Sequence, residues 1–267
     1  MSLTSAQFAR AAAAEASHLR MIRLQRMSYH ELQRLFAGEP SEAALWIRSA
    51  AEHGLAAAQL RLGRMRLAGD GIARDPAAAF AWFRRAADSG DAEALNMLGR
   101  CHEHGWGTVI DLQRAAACYR SSGCRGNDWG AYNFGNLLFD GRGVARDLRA
   151  ALRWYLRAAR QGHGRAMNLI GRCLEQGWGC ARSPLAAVDW YRESAQSGYF
   201  RGQFNYALVL AERGHGAAAA DWFWKAAQSG DSDIRSAIGT VVHGSADAAL
   251  QRLRTQLAAL TESGRTV

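Results

Sequence analysis

The sequence predicts an all-α fold, a superhelix of stacked helix-turn-helix repeats with capping helices at both ends. Three observations carry that expectation. Gly63, Gly99, Gly135 and Gly171 recur every 36 residues. An aromatic-rich pair recurs with the same period at Trp46-Ile47, Trp82-Phe83, Cys118-Tyr119, Trp154-Tyr155 and Trp190-Tyr191. Gly54, Gly90, Gly126, Gly162 and Gly198 close each unit, and Pro40, Pro76 and Pro184 share one position of the period. A fixed period of this length is the signature of a repeat architecture.

Each unit reads as two helices. The first, typified by Asp91 to His104, places Ala94, Leu98, Gly99, Cys101 and His102 toward a core at helical spacing. A glycine inside a helix costs about 1 kcal/mol against alanine, a cost suited to two helices in close approach. The pairs Gly69-x-Gly71, Gly105-x-Gly107, Gly141-x-Gly143 and Gly177-x-Gly179 then end the first helix, because glycine enters left-handed backbone conformations without penalty. Asp75, Asp111, Asp147 and Ser183 are the expected N-caps of the second helix, with proline following two of them.

The resulting organisation is an N-terminal helical extension over 1–38, with a capping box at Ser28-Tyr29-His30-Glu31 opening a short helix. Repeats cover 39–240: a partial unit at 39–54, regular units at 55–90, 91–126, 127–162 and 163–198, a shortened unit at 199–230 and a partial one at 231–242. Residues 243–267 form a capping helix and tail, with Ser245 as the expected N-cap and Leu250, Leu253, Leu257 and Leu260 on one face.

The unit at 127–162, with Gly135, Gly141, Gly143, Val144, Asp147, Ala151, Trp154, Tyr155, Ala158, Ala159 and Gly162, resembles the Sel-1-like repeat, a tetratricopeptide-type helical hairpin. The resemblance extends over about residues 39–240. It implies a right-handed α-solenoid that scaffolds protein complexes, often in bacterial signalling, envelope or stress pathways. Some disulfide-rich relatives bind or hydrolyse β-lactams, but they repeat a fixed cysteine pair, which this chain does not. Nor is there a Ser-x-x-Lys, since Lys225 is the only lysine.

The net charge is +9, yet the 33 basic residues are scattered along the chain and almost all are arginine, a bias that fits a GC-rich genome. Charge alone does not establish a nucleic-acid partner, which stands as the alternative function. With 49% hydrophobic and 21% charged residues the chain is globular, and no apolar run is long enough to span a membrane. The N-terminus lacks the leucine-rich block of a secretory signal, and five cysteines in an odd count point to reduced thiols and a cytoplasmic protein. Cys101, Cys118, Cys173 and Cys180 fall in core positions, and only Cys124 falls in an exposed one. Cys101-His102-Glu103-His104 has metal-like composition, but two of its members fall in core positions and no second ligand pair stands at zinc spacing. The Gly-x-Gly turns follow helices, not strands, so they are hinges and not phosphate cradles. No catalytic residue, metal or cofactor is expected, and the protein is read as a non-enzyme.

The first helices of stacked hairpins are expected to line a concave groove, and a protein partner is expected there, on the stripe that the core does not use. Counting from the start of each unit, position 10 gives Arg64, Arg100, Asn136 and Arg172, and position 6 gives Leu60, Asn96, Tyr132, Asn168 and Phe204. Position 3 adds Glu93, Trp129, Arg165 and Arg201, and position 13 adds Glu103, Phe139 and Glu175. Arginines and amides suit an acidic or extended protein segment, and the aromatics suit anchoring it. Trp106 and Trp178, inside Gly-Trp-Gly turns, are either edge anchors or lids folded over their own turn. Self-association through the alanine-rich helix at 6–20 is a further use to which the sequence lends itself.

Overall fold

The computed structural model describes residues 5–27, 31 and 39–263; Ser28, Tyr29 and His30 of the expected capping box lie outside them. The described residues form fourteen helices and no strand. They are α1 (Ser5–Arg26), α2 (Pro40–Glu52), α3 (Ala56–Ala68), α4 (Pro76–Asp88), α5 (Ala92–His104), α6 (Leu112–Cys124) and α7 (Asp128–Asp140). There follow α8 (Leu148–Ala159), α9 (Gly164–Gln176), α10 (Pro184–Gln196), α11 (Phe200–Glu212), α12 (Gly216–Ser229), α13 (Ser232–His243) and α14 (Ala248–Ser263). The chain divides into two compact units, Met1–Gly130 with Arg142–Val144, and Ala131–Gly141 with Ala145–Val267.

In the first unit the hairpins α3–α4 and α5–α6 repeat one packing scheme. Gly63 and Gly99 lie under the rings of Phe83 and Tyr119, and a Cβ at either would stand 2.5 Å from a ring carbon. Both rings are fully buried, which stabilises by roughly 2–3 kcal/mol each. Asp75 and Asp111 cap the second helices, accepting from Ala78 N–H and Arg114 N–H at 2.9 Å each. Gly105, at φ 73°, ends α5, and its amide and that of Trp106 return to Cys101 O. Those turn amides are spent on the helix end and are not offered to a phosphate. Gly107 approaches the Pro76 carbonyl of the preceding hairpin so closely that no side chain fits between them.

Helix α1 covers the start of this unit. Ser17 Oγ donates to Glu52 at 2.6 Å, Arg20 Nε donates to Ser49 Oγ at 2.8 Å, and Arg23 lies over the Trp46 ring.

In the second unit Gly135 and Gly171 repeat the contact with Tyr155 and Tyr191, and Gly179 abuts the Leu148 backbone as Gly107 does Pro76. The core then continues through Ala207, Phe223, Ile234, Ile238 and Val242 to Leu250, Leu253 and Leu257; the Leu260 side chain lies outside the described residues. Two expected caps differ. Ser183 makes no side-chain cap bond at α10. At α14 the cap is Asp247, not Ser245: its Oδ1 accepts from Ala249 and Leu250 N–H, while Ser245 Oγ accepts from Asp247 N–H. The carboxylate reaches two helix amides at once, which a hydroxyl two residues earlier cannot. Gly239 keeps its register in α13, but no ring lies over it.

Candidate partner-binding surface

In the first unit Arg64 on α3 and Glu93 on α5 form an exposed ion pair between successive first helices. Such a pair is worth at most about 1 kcal/mol, so it fixes side-chain direction more than it stabilises. Arg100 is half-buried, with its guanidinium carbon 4.8 Å above the Trp106 ring; His104 tilts against that ring at 4.8 Å. Glu103 accepts from Tyr119 Oη at 2.7 Å and pairs with Arg142 at 3.0 Å. Trp129 is 43% exposed. Asn96, in contrast, is buried.

The second unit repeats the motif. Arg172 lies over Trp178 at 5.4 Å, and Phe139 meets the same indole edge-to-face at 5.3 Å. Tyr132 stacks on His163 at 4.6 Å, and Asn136 Oδ1 accepts from Tyr155 Oη at 3.0 Å. Asn168 is buried, its Oδ1 accepting from Asn205 Nδ2 at 2.7 Å. Arg165 lies over Tyr199, Arg201 lies over Phe200 and reaches Asp231 at 3.8 Å, and Phe204 packs on Phe223.

The proposed set therefore sorts by burial. Arg64, Glu93, Trp129, Arg165, Arg172 and Arg201 are exposed; Arg100, Tyr132, Asn136, Phe139 and Phe204 are half-buried; Asn96 and Asn168 are interior. In the second unit position 6 points into the contact between successive first helices, where Tyr132 meets His163 and Asn168 meets Asn205.

Trp106 and Trp178 are folded over their own helices as guanidinium platforms rather than standing out as edge anchors. The signal was present: both tryptophans stand six residues after a position-10 arginine. Where that slot holds Asp70, Arg64 turns to Glu93 instead. A guanidinium laid on an indole keeps its edge donors directed outward, ready for a carboxylate.

The Cys101 to His104 run does not converge. Cys101 and His102 are buried, Glu103 serves Tyr119 and Arg142, and His104 stands against Trp106. Among the described residues no group of three or more His, Cys, Asp or Glu side chains is placed to hold a metal ion. Burial pushes the Cys101 thiol up to about 12 and the Cys173 thiol up to about 11. None of the five cysteines is in a disulfide. No helix among the described residues is long and apolar enough to cross a membrane.

The Sel1 repeat profile matches residues 56–91, 92–127, 130–163 and 164–199, more than half of the chain. A Sel1 repeat protein from Oxalobacter formigenes is similar in structure, with 26% identity and a TM-score of 0.78 over 89% of this chain and 100% of that one. The protective antigen c5321 of uropathogenic Escherichia coli, which displays an SLR fold, is 29% identical with a TM-score of 0.67 over 82% of this chain. This chain spans 48% of the length of that antigen. The immunity protein PA5088 of Pseudomonas aeruginosa shares the fold, at 17% identity and a TM-score of 0.52 over 78% of this chain and 80% of its own. No curated protein matches the chain.

Proposed function

Because the chain belongs to the Sel1 repeat family, whose members generally mediate protein–protein interactions, we propose that it is a non-enzymatic adaptor that holds an acidic or extended segment of a protein partner. The observation that carries this reading is the recurrence of one device, Arg100 on Trp106 and Arg172 on Trp178, at the same position of two repeats. Each presents a pre-oriented guanidinium, which loses less freedom on binding a carboxylate than a mobile arginine does. Trp129 in the first unit, and Arg165 and Arg201 in the second, are further exposed members of the expected stripe. Cysteines without disulfides suit a reducing cytoplasm. Bacterial signalling, stress or envelope-related regulation is the setting, as the family resemblance implies.

The test is anisotropy of a fluorescent, glutamate-rich peptide interrupted by prolines so that it stays extended. Saturable binding is expected, weakened about tenfold or more by Arg100→Ala with Arg172→Ala. Arg149→Ala, an exposed arginine on α8, leaves it unchanged. Absence of peptide binding together with steeply salt-dependent DNA or RNA binding would replace this reading with a nucleic-acid one.

A further inference from the structure

In three of the regular units an arginine at position 20 ties the Gly-x-Gly turn back to its own first helix. Arg74 Nε donates to Leu67 O at 3.1 Å, Arg146 Nε to Phe139 O at 3.0 Å and Arg182 Nε to Glu175 O at 2.8 Å. In the unit at 163–198 the turn is anchored further, by Trp178 N–H donating to Cys173 O at 2.9 Å and Ser183 N–H to Leu174 O at 2.7 Å. The chain between these anchors is held over position 11 of the first helix. In the first regular unit Ile72, at position 18, accordingly packs against the cluster that contains Met65, at position 11.

The unit at 163–198 alone carries cysteine at both positions, Cys173 and Cys180. The other regular units pair Met65 with Ile72, Cys101 with Thr108 and Leu137 with Val144. Cys180 Sγ lies 3.5 Å from Cys173 O, so this thiol stands against the very residue it would join. Burial first, and the neighbouring Cys180 thiol second, push the Cys173 thiol up to about 11, with Arg172 opposing. Cys173 is buried and Cys180 half-buried, so a reagent in solution meets Cys180 first.

We infer that Cys173 and Cys180 are a dithiol–disulfide pair, a modification site closed by a low-molecular-weight disulfide such as glutathione disulfide. The Cys180 thiolate attacks one sulfur of that reagent, whose S–S bond breaks and releases one glutathione thiolate. The Cys173 thiol then gives its proton to water, and its sulfur attacks Cys180 Sγ of the mixed disulfide and expels the second glutathione thiolate. Two protein thiols are oxidised to one disulfide, and one glutathione disulfide is reduced to two thiols. Burial shields Cys173 from the reagent but not from a sulfur already beside it, because an intramolecular step has an effective concentration far above that of a solute. The closed loop, 173–180, contains Trp178, so oxidation staples the turn that carries the platform for Arg172. The pair is independent of the adaptor reading: a chain that binds no acidic peptide still closes it.

The test uses the full chain carrying Cys124→Ser, which removes the exposed thiol. This parent chain is incubated with glutathione disulfide, alkylated in denaturant and digested with trypsin. Cys173 and Cys180 share one tryptic peptide, 173–182, because Arg172 and Arg182 bound it. That peptide is expected to be two hydrogens lighter, unalkylated and free of glutathione, and the thiol titre to fall by two; dithiothreitol restores both. Cys173→Ala arrests the reaction as a glutathione adduct on Cys180. Cys180→Val, which installs the residue found at Val144, leaves Cys173 unmodified. Circular dichroism checks that both variants fold, and the result on the parent chain needs neither. A glutathione adduct that persists on Cys180 of the parent chain, closure of Cys101 with Cys118 in place of this pair, or no loss of thiols overturns the inference.

Discussion

Gly99 of α5 lies beneath the ring of Tyr119 of α6, so close that a Cβ on the glycine would stand 2.5 Å from two ring carbons. The missing methyl is what lets a fully buried tyrosine cross the first helix at backbone distance. The cost in helix propensity is offset by the ring's burial.

Gly99→Ala is expected to lower stability by about 1–2 kcal/mol, because overpacking outweighs the helix-propensity gain. Gly239→Ala, with nothing within 4 Å of the added methyl, is expected to raise it by up to about 1 kcal/mol. Urea unfolding of both variants checks the pair; a stabilised Gly99→Ala would mean the ring moves aside at no cost.

Tyr119 and Tyr191 donate to Glu103 and Glu175, while Tyr155 donates to neutral Asn136 because Phe139 fills the glutamate position. Tyr119→Phe is expected to cost roughly 1.5–3 kcal/mol and Tyr155→Phe about 1 kcal/mol, reflecting charged and neutral acceptors. Thermal melts of the two variants give the ordering directly.

The periodic residues explain why so much of the fold was legible. Glycines, N-cap aspartates and buried rings each answer a local backbone or steric demand that repeats with the chain. The surface was less so. Asn96 and Asn168 sit on a stripe that looks solvent-facing for one helix, yet both are buried, Asn168 against Asn205 of the next hairpin. Trp106 and Trp178 admit two readings from sequence, and the Arg100 and Arg172 guanidinium groups lying over their rings decide between them. Ser245 and Asp247 both have capping chemistry, and loop geometry gives the helix amides to Asp247. Side-chain contacts between repeats, such as Tyr132 on His163, depend on which residues each unit happens to carry and do not recur at fixed spacing.

Buried His102 packs against Phe80, and its pKa is lowered from 6.5 by burial first and the Arg114 charge second, with Asp111 opposing. The unfolded chain therefore binds this proton more readily than the folded one. The stability contribution of neutral His102 is complete above pH 6.5 and is lost as pH falls from there through the lowered value. His102→Leu, the residue at Leu138 and Leu174, is expected to flatten the decline of melting temperature on acidification. An unchanged pH profile in that variant would remove His102 as its source.

Thiol reactivity should separate by burial. At pH 8, alkylation followed by mass spectrometry is expected to label exposed Cys124 first, and Cys101 and Cys173 only after denaturant is added, since the thiolate is the reacting species. Fast labelling of Cys101 in the native protein would show that α5 and α6 open readily.

The close approach of Gly107 to Pro76, repeated by Gly143 at Leu112 and Gly179 at Leu148, is contact of main chain with main chain. The step from one hairpin to the next is thereby gauged by atoms every residue shares, so drift in the side chains does not alter it. A whole module can be duplicated or lost at such a seam without retuning its neighbours, leaving the outward residues at liberty to change with each new client.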